Sequence, residues 1–119
     1  MADEEAPRRN EGYQDLRDLL ERFEEMGEIA HVDGADWNLE VGAISEMTAA
    51  EKPGRAKAML FDNIKGYPEG TRILSGGANA FKRLAVVLGL PEPKNEIDLV
   101  KSYRERSKRE FKLIPPVEV

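Results

Sequence analysis

The chain has 119 residues, 40% hydrophobic and 34% charged, enough for one domain's core under a well-solvated surface and unlike a disordered composition. A formal net charge of −5 argues against general affinity for phosphate backbones, and the lack of cysteine excludes disulfides, thiolate nucleophiles, Cys-ligated zinc and iron–sulfur centres. No apolar run is long enough to cross a bilayer, and the acidic start Met1-Ala2-Asp3-Glu4-Glu5 is unlike a signal peptide, so no membrane contact and a cytoplasmic location are expected.

Residues 1–12 are polar, interrupted by Pro7 and Gly12, and read as a flexible tail. A helix is expected from Asp15, a good N-cap, through Leu16, Leu19, Leu20, Phe23 and Met26 at three- and four-residue steps, with Gly27 to stop it. Glu28 to Asp33 reads as a short strand, followed by turn residues Gly34 and Asp36. A second helix is expected from Leu39 to about Ala50, with Asn38 as cap and Leu39, Ala43, Met47 and Ala50 along one stripe flanked by Ile44; Pro53-Gly54 marks its exit.

Ala58 to Ile64 is apolar enough for a buried strand, Lys65 to Gly70 for a tight connection, and Arg72 to Ser75 for a returning strand, together an antiparallel hairpin. After Gly76-Gly77 a third helix carries Phe81, Leu84, Ala85 and Leu88 and is closed by Gly89 and Pro91. A fourth runs from its cap Asn95 through Ile97, Val100 and Tyr103 to about Glu110, where the apolar stripe fades into charge. The segment Leu113 to Val119 is held extended by Pro115 and Pro116. The order α-β-α-β-β-α-α predicts an α+β fold: a small sheet of one strand plus a hairpin, with helices packed mainly on one side. The predicted organisation is a tail (1–12), an α+β domain (13–110) and a Pro-rich connector or docking tail (111–119).

The chemistry-bearing residues do not make a catalytic set. His31 is the sole histidine, which excludes a His-rich metal site within the chain, and a lone strand histidine reads as structural. No serine lies in a Gly-x-Ser-x-Gly elbow, and the carboxylates are scattered along helix surfaces. No catalytic, cofactor-binding or metal-binding residue is assigned. Gly76-Gly77-Ala78-Asn79 lies between a strand and a helix, where backbone N–H groups can hold an anion, or where glycine simply serves a tight turn; it lacks P-loop and Rossmann spacing. Trp37 and Tyr67, large aromatics beside turns, either cover the edge of the core or anchor an interface, and the further interface candidates are Tyr103 and Phe111 around the basic late helix and Ile114 and Val117 in the apolar tail. The local run Lys101, Arg104, Arg106, Lys108, Arg109 and Lys112 is diluted by Glu105 and Glu110, and nucleic acid is not the expected partner.

Four stretches together resemble the amino-terminal domain of UbiD-type decarboxylases. They are Asp15 to Glu21 with Gly27-Glu28, Asp36 to Ile44, Leu60 to Pro68, and Arg83 to Leu90, and Phe61-Asp62-Asn63-Ile64-Lys65-Gly66-Tyr67-Pro68 is the most specific of them. Ile114-Pro115-Pro116-Val117 resembles the connector into the family's flavin-binding domain. The resemblance implies reversible decarboxylation of aromatic or unsaturated acids on prenylated FMN with a divalent metal. It also implies that the catalytic arginine and glutamates and the metal ligands come from segments after this connector. Gly76-Gly77-Ala78-Asn79 departs from the Asn-x-x-Gly-Ser type of turn of many relatives. The expectation is therefore a non-catalytic small subunit or separate amino-terminal domain. It binds no cofactor alone and assembles with a catalytic chain that holds prenylated FMN; a homo-oligomer is possible. The alternatives are a fragment of a full-length decarboxylase and a stand-alone protein that binds an anion or a partner.

Overall fold

A computed structural model describes residues 13–52, 55–109 and 113–119. The expected tail, Pro53-Gly54, Glu110, Phe111 and Lys112 lie outside them.

The first helix, α1 (Leu16–Glu25), starts where Asp15 accepts the N–H of Asp18 at 3.0 Å while the Asp18 carboxylate accepts the N–H of Gln14 at 2.9 Å. One of the donors that the helix start leaves open is thereby satisfied, and the residue before the cap is tied back to the first turn. Gly27 ends α1 as expected, in the left-handed region at φ 68, which a side chain would strain. Leu19 and Phe23 are buried, whereas Leu16, read from the sequence as part of the same stripe, is exposed.

The strands are β1 (Ile29–Asp33), β2 (Ala58–Asp62) and β3 (Ile73–Ser75), in sheet order β1-β2-β3. The hairpin is antiparallel, with Leu60 opposite Leu74. The first strand joins it in parallel, with Ile29 opposite Ala58 and Asp33 opposite Asp62, and a parallel pair needs a crossover, here the helix α2 (Glu40–Ala49). Both strands of the hairpin are shorter than expected: Asn63 takes a left-handed φ of 47 and ends β2, and Arg72 precedes β3.

Side-chain alternation splits the core between the two sheet faces. Ala58 and Leu60 pack with Leu19, Phe23, Ile29 and Val86, which brings α1 and the third helix, α3 (Phe81–Val87), onto one face. Phe61 packs on the other face with Ala35, Ile64, Val32, Val41 and Ile44, under α2. The fourth helix, α4 (Glu96–Ser107), lies behind α3 through Ala85, Leu90 and Leu99. Three of the four helices among the described residues are therefore on one side, as the sequence predicts.

Two helical stripes are inverted relative to the sequence reading. In α2, Val41 and Ile44 face the sheet, and Leu39, Ala43, Met47 and Ala50 are exposed. In α4 the buried residue is Leu99, and Ile97, Val100 and Tyr103 are exposed. Asn38 does not cap α2. The N-cap position is Leu39, with no side-chain bond, and Asp36 organises the entry by accepting the N–H of Asn38 at 2.9 Å. Asn95 does cap α4, accepting the N–H of Asp98 at 2.9 Å. Among the described residues no helix is long and apolar enough to cross a membrane.

Candidate functional site

The carboxyl ends of the parallel strands β1 and β2 gather most of the exposed chemistry. A parallel bridge between Asp36 and Lys65 prolongs the pairing past both strands, and the N–H of Lys65 donates to the Ala35 carbonyl at 3.1 Å. This bridge brings together the loops that carry Trp37 and Tyr67, both more than half exposed. The register also sets Asp33 beside Asp62, a like-charge pairing that is unfavourable unless each carboxylate has its own donor. Asn63 Nδ2 donates to Asp33 at 2.6 Å, and Arg72 donates to both oxygens of Asp62, at 2.5 and 3.2 Å. That hydrogen bond holds the Asp62 carboxyl below its ordinary value, against opposing desolvation and with further help from the Arg72 charge and from His31.

His31 stands on the same sheet face, its Nε2 against Glu24 of α1 and its Nδ1 3.7 Å from Asp62. The histidine thus ties α1 to the sheet, the structural role the sequence suggests. Asp62 and Asp33 of this rim have their partners in Arg72, His31 and Asn63, while the indole of Trp37 and the phenol of Tyr67 are exposed. A surface of this kind can bind, and its exposed aromatics suit a protein partner.

The Gly76–Asn79 turn is held from inside. Arg83 is 0% exposed, and its Nε donates to the Gly76 carbonyl at 3.2 Å, one terminal nitrogen to Glu28 at 2.6 Å and the other to Asn79 Oδ1 at 2.5 Å. Gly76 has φ 71, and a Cβ there would come within 3.0 Å of Asn79 Nδ2. Glycine is therefore required for this turn, whose cation is already paired with Glu28. A shallow cleft of about 360 Å³ beside it is lined by Ser45, Thr48, Lys57, Ser75 and Asn79 among others.

Sequence reasoning missed Arg83 because a charged residue on a short helix reads as a surface group. Its partner Glu28 is 55 residues distant, and no local spacing signals the pair. Of the expected interface anchors, Trp37 and Tyr67 share the rim, Tyr103 is on α4, Ile114 and Val117 are exposed on the extended tail, and Phe111 lies outside the described residues.

Residues 20–102 match the family described as the 3-octaprenyl-4-hydroxybenzoate carboxy-lyase N-terminal domain, well over half of the chain. The chain belongs to that family. The UbiD-type signature Phe61–Pro68 spans the end of β2 and the rim up to Tyr67 and Pro68. The pyrrole-2-carboxylic acid decarboxylase of Pseudomonas aeruginosa is 32% identical over 109 residues, covering 85% of this chain and 21% of that protein. The vanillic acid decarboxylase of Sedimentibacter hydroxybenzoicus has the same fold in one part of its chain. Its open form gives a TM-score of 0.71 at 24% identity, covering 81% of this UbiD-type domain and 20% of that chain. Its closed form gives 0.64 at 23% identity over the same shares. The domain therefore spans about one-fifth of the length of the relatives it matches.

Proposed function

We propose that this chain is the non-catalytic amino-terminal unit of a UbiD-type decarboxylase or carboxylase, either a small subunit or the first domain of a longer protein. It packs against a catalytic part that binds prenylated FMN. The observation that carries this reading is the rim at the end of β1 and β2, where the family's most specific segment leaves Tyr67 exposed on a loop that the Asp36–Lys65 bridge joins to the loop of the exposed Trp37. Large aromatics held on a fixed scaffold and left half uncovered suit interface anchors.

Prenylated FMN, when bound in the catalytic part, supplies the electron sink for breaking the carbon–carboxylate bond. Among the described residues no three carboxylate, imidazole or thiol groups converge to hold a metal ion, so the donors present here do not suit the cofactor's metal. The chain's own contribution is positional: it covers one wall of the catalytic cleft and limits its motion. Residues 13–110 form the packing unit, and the exposed apolar residues Leu113, Ile114 and Val117 of segment 111–119 continue the contact towards the catalytic part.

The test is reconstitution. The chain is mixed with the UbiD-type catalytic chain of its own source organism, and complex formation and the decarboxylation rate are measured by native mass spectrometry and turnover. The expected result is a complex whose stability falls at least tenfold with Trp37→Ala or Tyr67→Ala. A mixture in which no complex is detected and turnover does not change overturns the proposal.

A further inference from the structure

Negative charge is not spread evenly over the molecule. The stretches that leave the carboxyl ends of β1 and β2, residues 33–40 and 62–72, hold five carboxylates, Asp33, Asp36, Glu40, Asp62 and Glu69, against two cations, Lys65 and Arg72. The other described residues carry thirteen acidic and thirteen basic side chains, counting Asp, Glu, Lys and Arg, so the surplus lies at the rim. Pairing within the rim does not remove it. Arg72 is engaged by Asp62, and Asp33 receives a neutral donor, the Asn63 amide. Glu40 accepts the N–H of Asp36 at 2.7 Å and Asp36 accepts the N–H of Asn38, so both carboxylates are fixed in place, yet neither has a cation partner among the described residues. Lys65 lowers the surplus without cancelling it. These charges frame Trp37 and Tyr67, 56% and 51% exposed, on loops that the Asp36–Lys65 bridge holds side by side.

We propose that the surface seated on this rim is positively charged: a basic patch of the catalytic part whose cationic side chains lie against Trp37 and Tyr67 and reach Asp36 and Glu40. This rests on the rim being the docked surface and adds the chemistry that the partner presents there. The faces of an indole and a phenol ring attract a cation, and carboxylates beside the rings add to that attraction. A carboxylate that loses its water on docking is penalised unless a cation replaces it, so a neutral or acidic surface over Asp36 and Glu40 is disfavoured and a basic one is favoured. Because both carboxylates are already oriented by backbone N–H donors, little side-chain freedom is lost when the cation arrives. The same surplus repels phosphate backbones and anionic lipid headgroups, which leaves a protein surface as the fitting occupant.

Isothermal titration calorimetry of the full chain with the UbiD-type catalytic chain of its own source organism tests this, at low and high salt. Asp36→Asn combined with Glu40→Gln removes two rim charges, while an amide oxygen can still accept each backbone N–H. The control, Glu92→Gln combined with Glu96→Gln, removes two charges from the α3–α4 connection and the start of α4. Thermal melts establish that both variants remain folded. The expected result is an association that weakens in high salt and that the rim variant weakens roughly fivefold at low salt, with a shallower salt dependence. The control binds as the unmodified chain does. A complex whose affinity is unchanged or raised in the rim variant overturns the inference and leaves the docking of the rim standing. An equal loss in the control also overturns it, because the attraction then belongs to the charge of the whole chain. The absence of any complex with the unmodified chain overturns the docking itself and this inference with it.

Discussion

Replacing Arg83 by methionine keeps the volume of the aliphatic stem but strands the Glu28 carboxylate, the Gly76 carbonyl and the Asn79 amide oxygen that the guanidinium serves. Breaking a buried pair from one side costs about 3–5 kcal/mol, so urea unfolding should place the Arg83→Met variant lower by about that amount. Adding Glu28→Met should recover part of the loss, a non-additivity that a surface pair does not show. The Asp62–Arg72 pair is its exposed counterpart. Because the folded state holds the Asp62 carboxyl below its ordinary value, its contribution is complete above the usual carboxylate range near pH ~3.9 and is lost as pH falls through the folded value. Arg72→Gln should therefore lower stability at neutral pH by at most about 1 kcal/mol, a difference that closes in acid and shrinks in salt.

At the scale of elements, α2 stands apart: it has no buried residue and no side-chain cap, and it is held by the partly buried Val41 and Ile44. Hydrogen exchange should find its amides less protected than those of α1, because local opening costs least where few apolar contacts are lost. The capped helices make the contrast testable, since Asp15→Ala and Asn95→Ala should each cost about 1 kcal/mol of stability. Those caps, the Gly27 stop, the hairpin and the element order were legible in the sequence because each depends on residues close together in the chain. The inward faces of α2 and α4 were not. In α2 the stripe through Leu39 and Met47 and the one through Val41 and Ile44 both satisfy helical periodicity. The choice falls to Phe61 and Ala35 across the sheet, which local patterning does not reveal. In α4 the three-residue spacing of Ile97, Val100 and Tyr103 marks an amphipathic helix while leaving open whether that face meets this chain's own core. The rim was half legible: Trp37 and Tyr67 were each read as covering the edge of the core or anchoring an interface, and the Asp36–Lys65 bridge that joins their loops appears only in the fold.

For the whole molecule, the sheet is a partition with Phe23 buried on one face and Phe61 on the other. Phe23→Ala and Phe61→Ala should each cost about 3–5 kcal/mol in chemical denaturation, a large share of a domain's usual stability. The same partition gives the molecule separate outward surfaces: the rim at the strand ends, the back of α2 and the back of α4. The rim holds the chain's one tryptophan, 56% exposed. This single indole is an intrinsic optical reporter. Its emission in the free chain should be that of a hydrated indole and open to quenching by iodide. A catalytic partner seated on the rim should shift it to the blue and shield it, so engagement can be followed in solution without attaching a dye.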